Sequence, residues 1–158
     1  MKRIILALAM LIALLVSAPA TQRPAARDVA IMLDDWYDAA DKGDGPRFFQ
    51  HFTDDAVFLG TDPEERWTIS EFRARYQSFF DGHHAWTYVP NGRHVFLSPD
   101  RKTGWFDEGL HSPKYGELRA TGVVVRSQGT WKIAQYNLSI PIPNALVPRM
   151  AELLKTSH

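Results

Sequence analysis

The chain has 158 residues, in which 18 lysines and arginines balance 18 aspartates and glutamates, and it contains no cysteine. The lack of cysteine excludes disulfides, thiolate metal sites and a cysteine nucleophile. No basic stripe stands out, and non-specific binding to nucleic acid requires such an electrostatic footprint, so we expect no nucleic-acid partner.

Residues 1–20 are predicted to be a secretion signal. Lys2 and Arg3 precede the unbroken apolar run 4–16, which is short for a membrane span, and Ala18-Pro19-Ala20 fits the cleavage pattern. An uncleaved membrane anchor is the alternative. Cleavage after Ala20 would leave 138 residues with a net charge of −2, about one domain, without stable membrane insertion. Export without disulfides favours a bacterial periplasm or the exterior.

The predicted elements after the short lead 21–27 are helices first and strands later. A helix over 27–42 is indicated by apolar residues on one face, and Pro46 begins a second, short helix. Thr68 and Glu71 form a capping-box pattern at the start of a third helix. A short strand at 56–59 lies between the second and third helices. The remaining predictions are strands at 85–97, 103–111, 117–127 and 130–140 and a final helix at 144–155. This order predicts an α+β fold with helices packed on one face of a bent antiparallel sheet.

Strict alternation along 130–140 predicts which residues face inward. It places Trp131, Ile133, Gln135 and Asn137 together as an inner wall, with Tyr136 on the opposite side. Both sets are largely apolar, and a sheet with one solvated face should alternate more cleanly. We therefore expect a homodimer through the sheet, the alternative being an exposed face with a few apolar residues.

The adjacent carboxylates Asp107 and Glu108 must point to opposite faces of their strand, whichever register it adopts. The carboxylate that faces inward would lie among aromatic rings, where desolvation raises its pKa and suits it to proton transfer. The alternative is a structural carboxylate paired with Arg119 or Arg93. The sequence leaves both the choice of carboxylate and its role open.

The six histidines show no spacing typical of metal ligands. His83 and His84 follow Gly82, which ends the third helix, and a solvated turn is the favoured interpretation. We predict no metal site and no cofactor.

Several short motifs occur in an order that resembles the SnoaL-like branch of the nuclear transport factor 2-like (NTF2-like) superfamily. They are GTD at 60–62, ERW at 65–67, WFDE at 105–108, YG at 115–116, RATGV at 119–123 and WKIAQYNLSIPIPN at 131–144. The resemblance covers about residues 28–147, followed by a C-terminal helix and tail at 148–158. It implies a cone-shaped half-barrel, a curved antiparallel sheet wrapped around three helices, with a small-molecule pocket at its open end and dimerisation through the sheet.

The resemblance implies two kinds of function, because the superfamily contains both enzymes and proteins that only bind. The first is binding of a small apolar or aromatic molecule. The second is cofactor-independent isomerisation, dehydration or hydrolysis, with Asp107 or Glu108 as the acid or base and Tyr37 as a hydrogen-bond donor. Asn137 stands where many relatives carry histidine, which disfavours a histidine-dependent mechanism. The expected pocket residues are Trp36, Tyr76, Trp105, Arg119, Gln135 and Asn137.

Overall fold

The computed structural model describes residues 22–81 and 85–156. The predicted signal peptide and the His83-His84 pair lie outside these residues. The helices are α1 (Gln22–Asp41), α2 (Gly45–Phe49), α3 (Ile69–Tyr76) and α4 (Val147–Lys155), with short 3-10 helices at Gln77–Phe80 and Asn144–Leu146. The strands are β1 (Phe52–Leu59), β2 (Arg66–Thr68), β3 (Val89–Leu97), β4 (Thr103–Ser112), β5 (Gly116–Ser127) and β6 (Thr130–Ser139).

The local signals in the sequence placed most element boundaries within a few residues. The capping box is confirmed: Thr68 Oγ1 accepts from the Glu71 amide at 3.3 Å, and the Thr68 amide donates to Glu71 Oε2 at 2.9 Å. Helix α1 begins at Gln22, five residues before its predicted start, and β3 begins four residues later than predicted. Strand β2 was not predicted, since three residues are too few to show alternation.

The six strands form one curved sheet that does not close, in the order β2-β1-β6-β5-β4-β3. Only the β1–β6 pair is parallel; the other pairs are antiparallel. Helix α1 packs against α2, β3 and β6, and α3 packs against β1. The predicted α+β class, with helices packed on one side of a bent sheet, is therefore confirmed.

The space between the helices and the sheet is filled largely by aromatic rings. Trp36 stacks on Phe48 at 5.2 Å between ring centroids, and Phe58 stacks on Phe72 at 4.2 Å. Such pairs add about 0.5–1.5 kcal/mol each beyond the burial of their area. The core therefore holds α1, α2 and α3 firmly against the inner face of the sheet.

A β-bulge in β6 overturns the predicted inner wall. The pairing with β5 runs Val123 to Gln135 and then Val124 to Ile133, so Ala134 is an extra residue on β6. One extra residue inverts the alternation beyond it. Ile133 faces the core, as predicted, but beyond the bulge Tyr136 is the buried residue. Gln135 and Asn137 lie on the outer face of the sheet, where the prediction placed Tyr136.

The chain after β6 contributes little to the core. Residues 140–149 are exposed, and α4 has no buried residue. Among the residues that the structure describes, no helix is long and apolar enough to span a membrane.

Candidate active site

Strand β4 carries one carboxylate into the core and one to the surface. Glu108 pairs with Ala120 of β5 on the inner face and is buried, whereas Asp107 is exposed on the outer face. Asp107 Oδ1 lies 3.1 Å from His94 Nδ1 on β3, and both side chains are more than half exposed. Asp107 is therefore not the carboxylate that faces inward, and the sheet separates it from Tyr37.

The buried carboxylate of Glu108 is hydrogen-bonded to the first helix. The Tyr37 hydroxyl donates to Glu108 Oε1 at 2.7 Å, and it also lies 3.1 Å from the hydroxyl of Tyr136 on β6. The two tyrosines and the glutamate thus form a chain of three polar groups inside an aromatic core. This chain connects α1, β4 and β6.

Arg93 on β3 supplies the positive charge that faces Glu108. Its Nε donates to Glu108 Oε2 at 2.6 Å, while Nη1 donates to the Ala30 carbonyl at 2.8 Å and to Asp34 Oδ1 at 2.7 Å. The remaining nitrogen, Nη2, is buried and has no acceptor among residues 22–81 and 85–156. A buried N–H without an acceptor is costly, so Nη2 is available to donate a hydrogen bond to an oxygen atom that lies outside the described residues.

Burial and charge act in opposite directions on Glu108. Burial raises its pKa above the ordinary value, and Arg93, together with the hydrogen bond from Tyr37, opposes that rise. Burial also raises the pKa values of Tyr37 and Tyr136 well above the usual range, so both phenols stay protonated and act as donors. The site therefore combines a carboxyl whose pKa is raised by burial with two neutral phenols.

The structure separates most of the predicted pocket residues from this site. Trp105 and Arg119 are exposed on the outer face of the sheet, where Gln135 and Asn137 also lie. Trp105 stacks there on Phe96 at 5.9 Å between centroids. These four residues were predicted to line a pocket, and they do not lie on the inner face of the sheet.

The two remaining pocket candidates belong to the interior. Trp36 is a core residue whose ring lies 4.7 Å from that of Tyr136, and its Nε1 is buried without a partner in the described part of the chain. Tyr76 is half-buried and donates to Glu65 Oε1 at 3.2 Å. Neither residue lines the described cavities.

A small cavity lies where the chain enters β3, next to the turn between β4 and β5. Its volume is about 180 Å³, and it is lined by residues 85–88 and 112–115, among them the rings of Trp86, Tyr88 and Tyr115. The Tyr88 ring lies 6.4 Å from that of Tyr37, so one aromatic ring connects the cavity with the Glu108 chain. Burial raises the pKa of Tyr88 to about 12.

Tyr37 and Glu108 were among the residues predicted from the sequence, whereas Tyr136 and the residues that line the cavity were not. Tyr136 was assigned to the opposite face because a bulge leaves no mark in an apolar run. Trp86 and Tyr88 lie before β3, in a segment that was predicted to be strand, and Tyr115 lies in the β4–β5 turn, so alternation could not place these rings. Arg93 was named as a partner of an inward carboxylate, and it is the partner of Glu108.

No cluster of histidine and carboxylate side chains suitable for a metal ion occurs within 22–81 and 85–156. The site instead provides a carboxyl, phenols and a guanidinium, and these groups transfer protons or donate hydrogen bonds.

Comparison with known structures places the fold in the NTF2-like class. An NTF2-like protein of unknown function from Pseudomonas putida KT2440 aligns with a TM-score of 0.65 and 17% identity, over 77% of this chain and 90% of that chain. An NTF2-like protein from Streptomyces avermitilis, provisionally described as a dehydratase, aligns with a TM-score of 0.61 and 18% identity, over 77% and 99% of the two chains.

A third structure, from Novosphingobium aromaticivorans, is provisionally described as an aromatic ring hydroxylase. It aligns with a TM-score of 0.63 and 17% identity, over 77% of this chain and 92% of that chain. Identities this low show the fold alone. Comparison with proteins of curated function gave no match.

The family is shown by the sequence itself. The SnoaL-like domain model matches residues 29–143, most of the chain. The protein therefore belongs to the SnoaL-like family, as the sequence motifs indicated.

Proposed function

We propose that the protein binds a small aromatic or apolar molecule in the cavity between residues 85–88 and the β4–β5 turn. The cavity itself carries this proposal: its volume of about 180 Å³ is close to that of protein cavities that hold a single aromatic ring. Its walls combine three aromatic rings with the hydroxyl of Ser112, the mixture typical of small-molecule sites.

Titration with p-cresol, one aromatic ring with one hydroxyl, tests this proposal by calorimetry. The Tyr115 ring is 48% exposed and lines the cavity, whereas Phe79 is 49% exposed and does not. Tyr115→Ala should weaken binding about three- to tenfold, the value of one aromatic contact, and Phe79→Ala should leave it unchanged. Equal effects of the two variants, or no binding, would refute the proposal. Native mass spectrometry of the purified protein would identify a natural ligand that remains bound.

A second candidate function, acid–base catalysis, is favoured by the buried Glu108 chain. Glu108, whose pKa is raised by burial, holds a proton to higher pH than a free glutamate and could act as the acid or base, and the Tyr37 phenol can stabilise a developing negative charge. The unpaired Arg93 Nη2 offers a further donor to a substrate oxygen. The reaction would be an isomerisation, dehydration or hydrolysis without a cofactor.

A matched pair of variants distinguishes catalysis from binding alone. Glu108→Gln should abolish turnover of the natural ligand if Glu108 transfers the proton, and Asp107→Asn, the neighbour on the outer face, should not. If both variants bind and convert the ligand equally, Glu108 is a structural partner of Arg93. Binding with no turnover in the unmodified protein supports the first candidate.

We further propose that two copies associate through the outer face of the sheet. Phe96 and Trp105 form an exposed stacked pair there, 46% and 48% exposed, and Val123 lies on the next strand beside Trp105. An apolar patch of this kind is a common mark of a protein interface. Export to the periplasm or exterior stays a prediction from residues 1–20.

A further inference from the structure

A second, larger groove lies between α1 and the hairpin of β5 and β6. Its volume is about 520 Å³, within the range of small-molecule sites, and it shares no lining residue with the cavity beside Tyr88. Ile31, Met32 and Trp131 provide its apolar surface. The remaining lining is strongly polar, and its arrangement is specific.

His51 and Asp35 form a pair in this groove. His51 Nε2 lies 2.8 Å from Asp35 Oδ2, and Arg47 donates from Nε to Asp35 Oδ1 at 3.1 Å. Arg47 is the main cause that holds the pKa of Asp35 below its ordinary value, so the carboxylate is ionised and can only accept. His51 Nε2 must then carry the ring proton, which leaves Nδ1 as a hydrogen-bond acceptor.

Nδ1 of His51 has no hydrogen-bond partner within the described part of the chain. The side chain is only 12% exposed, and it lines the groove. Burial lowers the pKa of His51, although Asp35 acts in the opposite direction. The lowered pKa keeps the ring neutral at pH 7. The groove therefore presents an oriented, neutral acceptor, held as a catalytic or binding histidine is held by its carboxylate.

The two walls of the groove differ in charge. The hairpin side carries Arg126 and Lys132, while the α1 side carries Asp28 and Asp35, whose negative charge is paired with Arg47. The Lys132 ammonium also donates to the Gln50 carbonyl, which fixes it beside the groove. An anionic group would be attracted to the hairpin and repelled by Asp28, which sets the direction of a bound molecule.

We propose that this groove is a second ligand site, one that takes a hydroxylated apolar acid. The apolar body of the ligand would lie on Ile31, Met32 and Trp131, its carboxylate beside Arg126 and Lys132, and its hydroxyl would donate to His51 Nδ1. The site is independent of the function proposed for the cavity beside Tyr88. A purely structural role for the Asp35–His51 pair, tying α1 to the chain before β1, would give the groove no preference for such a ligand.

The test titrates the purified protein with 4-hydroxyphenylacetate and, in parallel, with phenylacetate, which lacks the hydroxyl. Long-range proton–nitrogen NMR of the histidine rings reports the contact without any substitution. The hydroxylated acid should shift the Nδ1 resonance of His51 and leave those of His94 and His111, which lie elsewhere on the sheet, in place.

Substitutions then separate the two polar contacts. Arg126→Gln should weaken both acids by a similar factor of about five to ten, the expected value of one charged contact, whereas Arg119→Gln, an exposed arginine on the outer face, should have no effect. His51→Phe should weaken only the hydroxylated acid, about tenfold.

Three results would overturn the proposal. The first is no binding of either acid at about 10 mM, a concentration at which even a weak complex forms. The second is an unchanged His51 resonance at saturation, and the third is binding that is lost in Tyr115→Ala instead of Arg126→Gln, which would place the acid in the other cavity. Because the NMR result needs no variant, a His51→Phe protein that fails to fold would not weaken the test.

Discussion

The hydroxyl of Tyr37 and the carboxylate of Glu108 meet at 2.7 Å although they are 71 positions apart in the chain. This bond joins α1 to the middle of the sheet, and both side chains are buried. Both groups would be costly to bury alone, because a buried polar group without a partner loses its hydration and gains nothing. Their pairing explains how a carboxylate is tolerated at the centre of an aromatic core.

Tyr37→Phe should therefore destabilise the protein by about 2 kcal/mol, since the variant leaves a buried carboxylate oxygen without its donor. It should also raise the pKa of Glu108 further, because the lost hydrogen bond stabilised the charged form. Urea denaturation measures the first effect, and a carbon-13 NMR titration of the Glu108 carboxyl measures the second. Tyr115→Phe, at an exposed ring, is the control and should change neither. An unchanged pKa in Tyr37→Phe would contradict the assigned bond.

Arg93→Met should cost stability in a way that depends on pH. Removing the cation from a buried pair typically costs about 3–5 kcal/mol, because the remaining charge has no counter-charge. The folded protein holds the proton on Glu108 more tightly than the unfolded chain does, and loss of Arg93 widens that difference. The cost should thus be full above the folded pKa of Glu108 in the variant. It should shrink as the pH falls from there through the lower folded pKa of the unmodified protein, because Glu108 becomes neutral.

Unfolding free energies of Arg93→Met and the unmodified protein at a series of pH values test this expectation. A penalty that is constant with pH would mean that Arg93 stabilises the fold through its other contacts, with Ala30 and Asp34, and not through Glu108.

Because of the bulge at Ala134, we expect substitutions at two neighbouring residues of β6 to have very different effects on stability. Leu138 is 6% exposed on the inner face, so Leu138→Asn should destabilise the protein by about 3 kcal/mol or more. Asn137 lies on the outer face, and Asn137→Leu should change stability by less than about 1 kcal/mol. Strict alternation along the strand predicts the reverse order. Denaturant unfolding of the two variants decides between them.

Trp105→Lys should convert the proposed dimer into a monomer without changing the circular dichroism spectrum, because its side chain lies outside the core. Tyr115→Lys is a matched control, since Tyr115 is equally exposed at 48% but lies at the β4–β5 turn. Analytical ultracentrifugation of the three proteins provides the measurement. A monomer before substitution, or dissociation by both variants, would remove the outer face as the interface.

The order of the elements was predictable because its signals are local. The capping box at Thr68 and Glu71 and the proline in the first turn of α2 act over four or five residues, and each precedes the helix that it predicts. The motif order also indicated the family correctly. The requirement that exactly one of Asp107 and Glu108 faces inward needed only the geometry of an extended chain.

The tertiary structure decided the features that depended on an irregularity in strand alternation or on a partner distant in the chain. The choice of Glu108 over Asp107 follows from the pairing of β4 with β5, and the exchange of Tyr136 for Gln135 and Asn137 follows from one extra residue on β6. A bulge is stabilised by the strands on either side and by the core beneath them, so its position cannot be predicted from the residues of the bulged strand alone. The groove with His51 and Asp35 arises in the same way, since residues sixteen apart become partners only when α1 and the chain before β1 pack together.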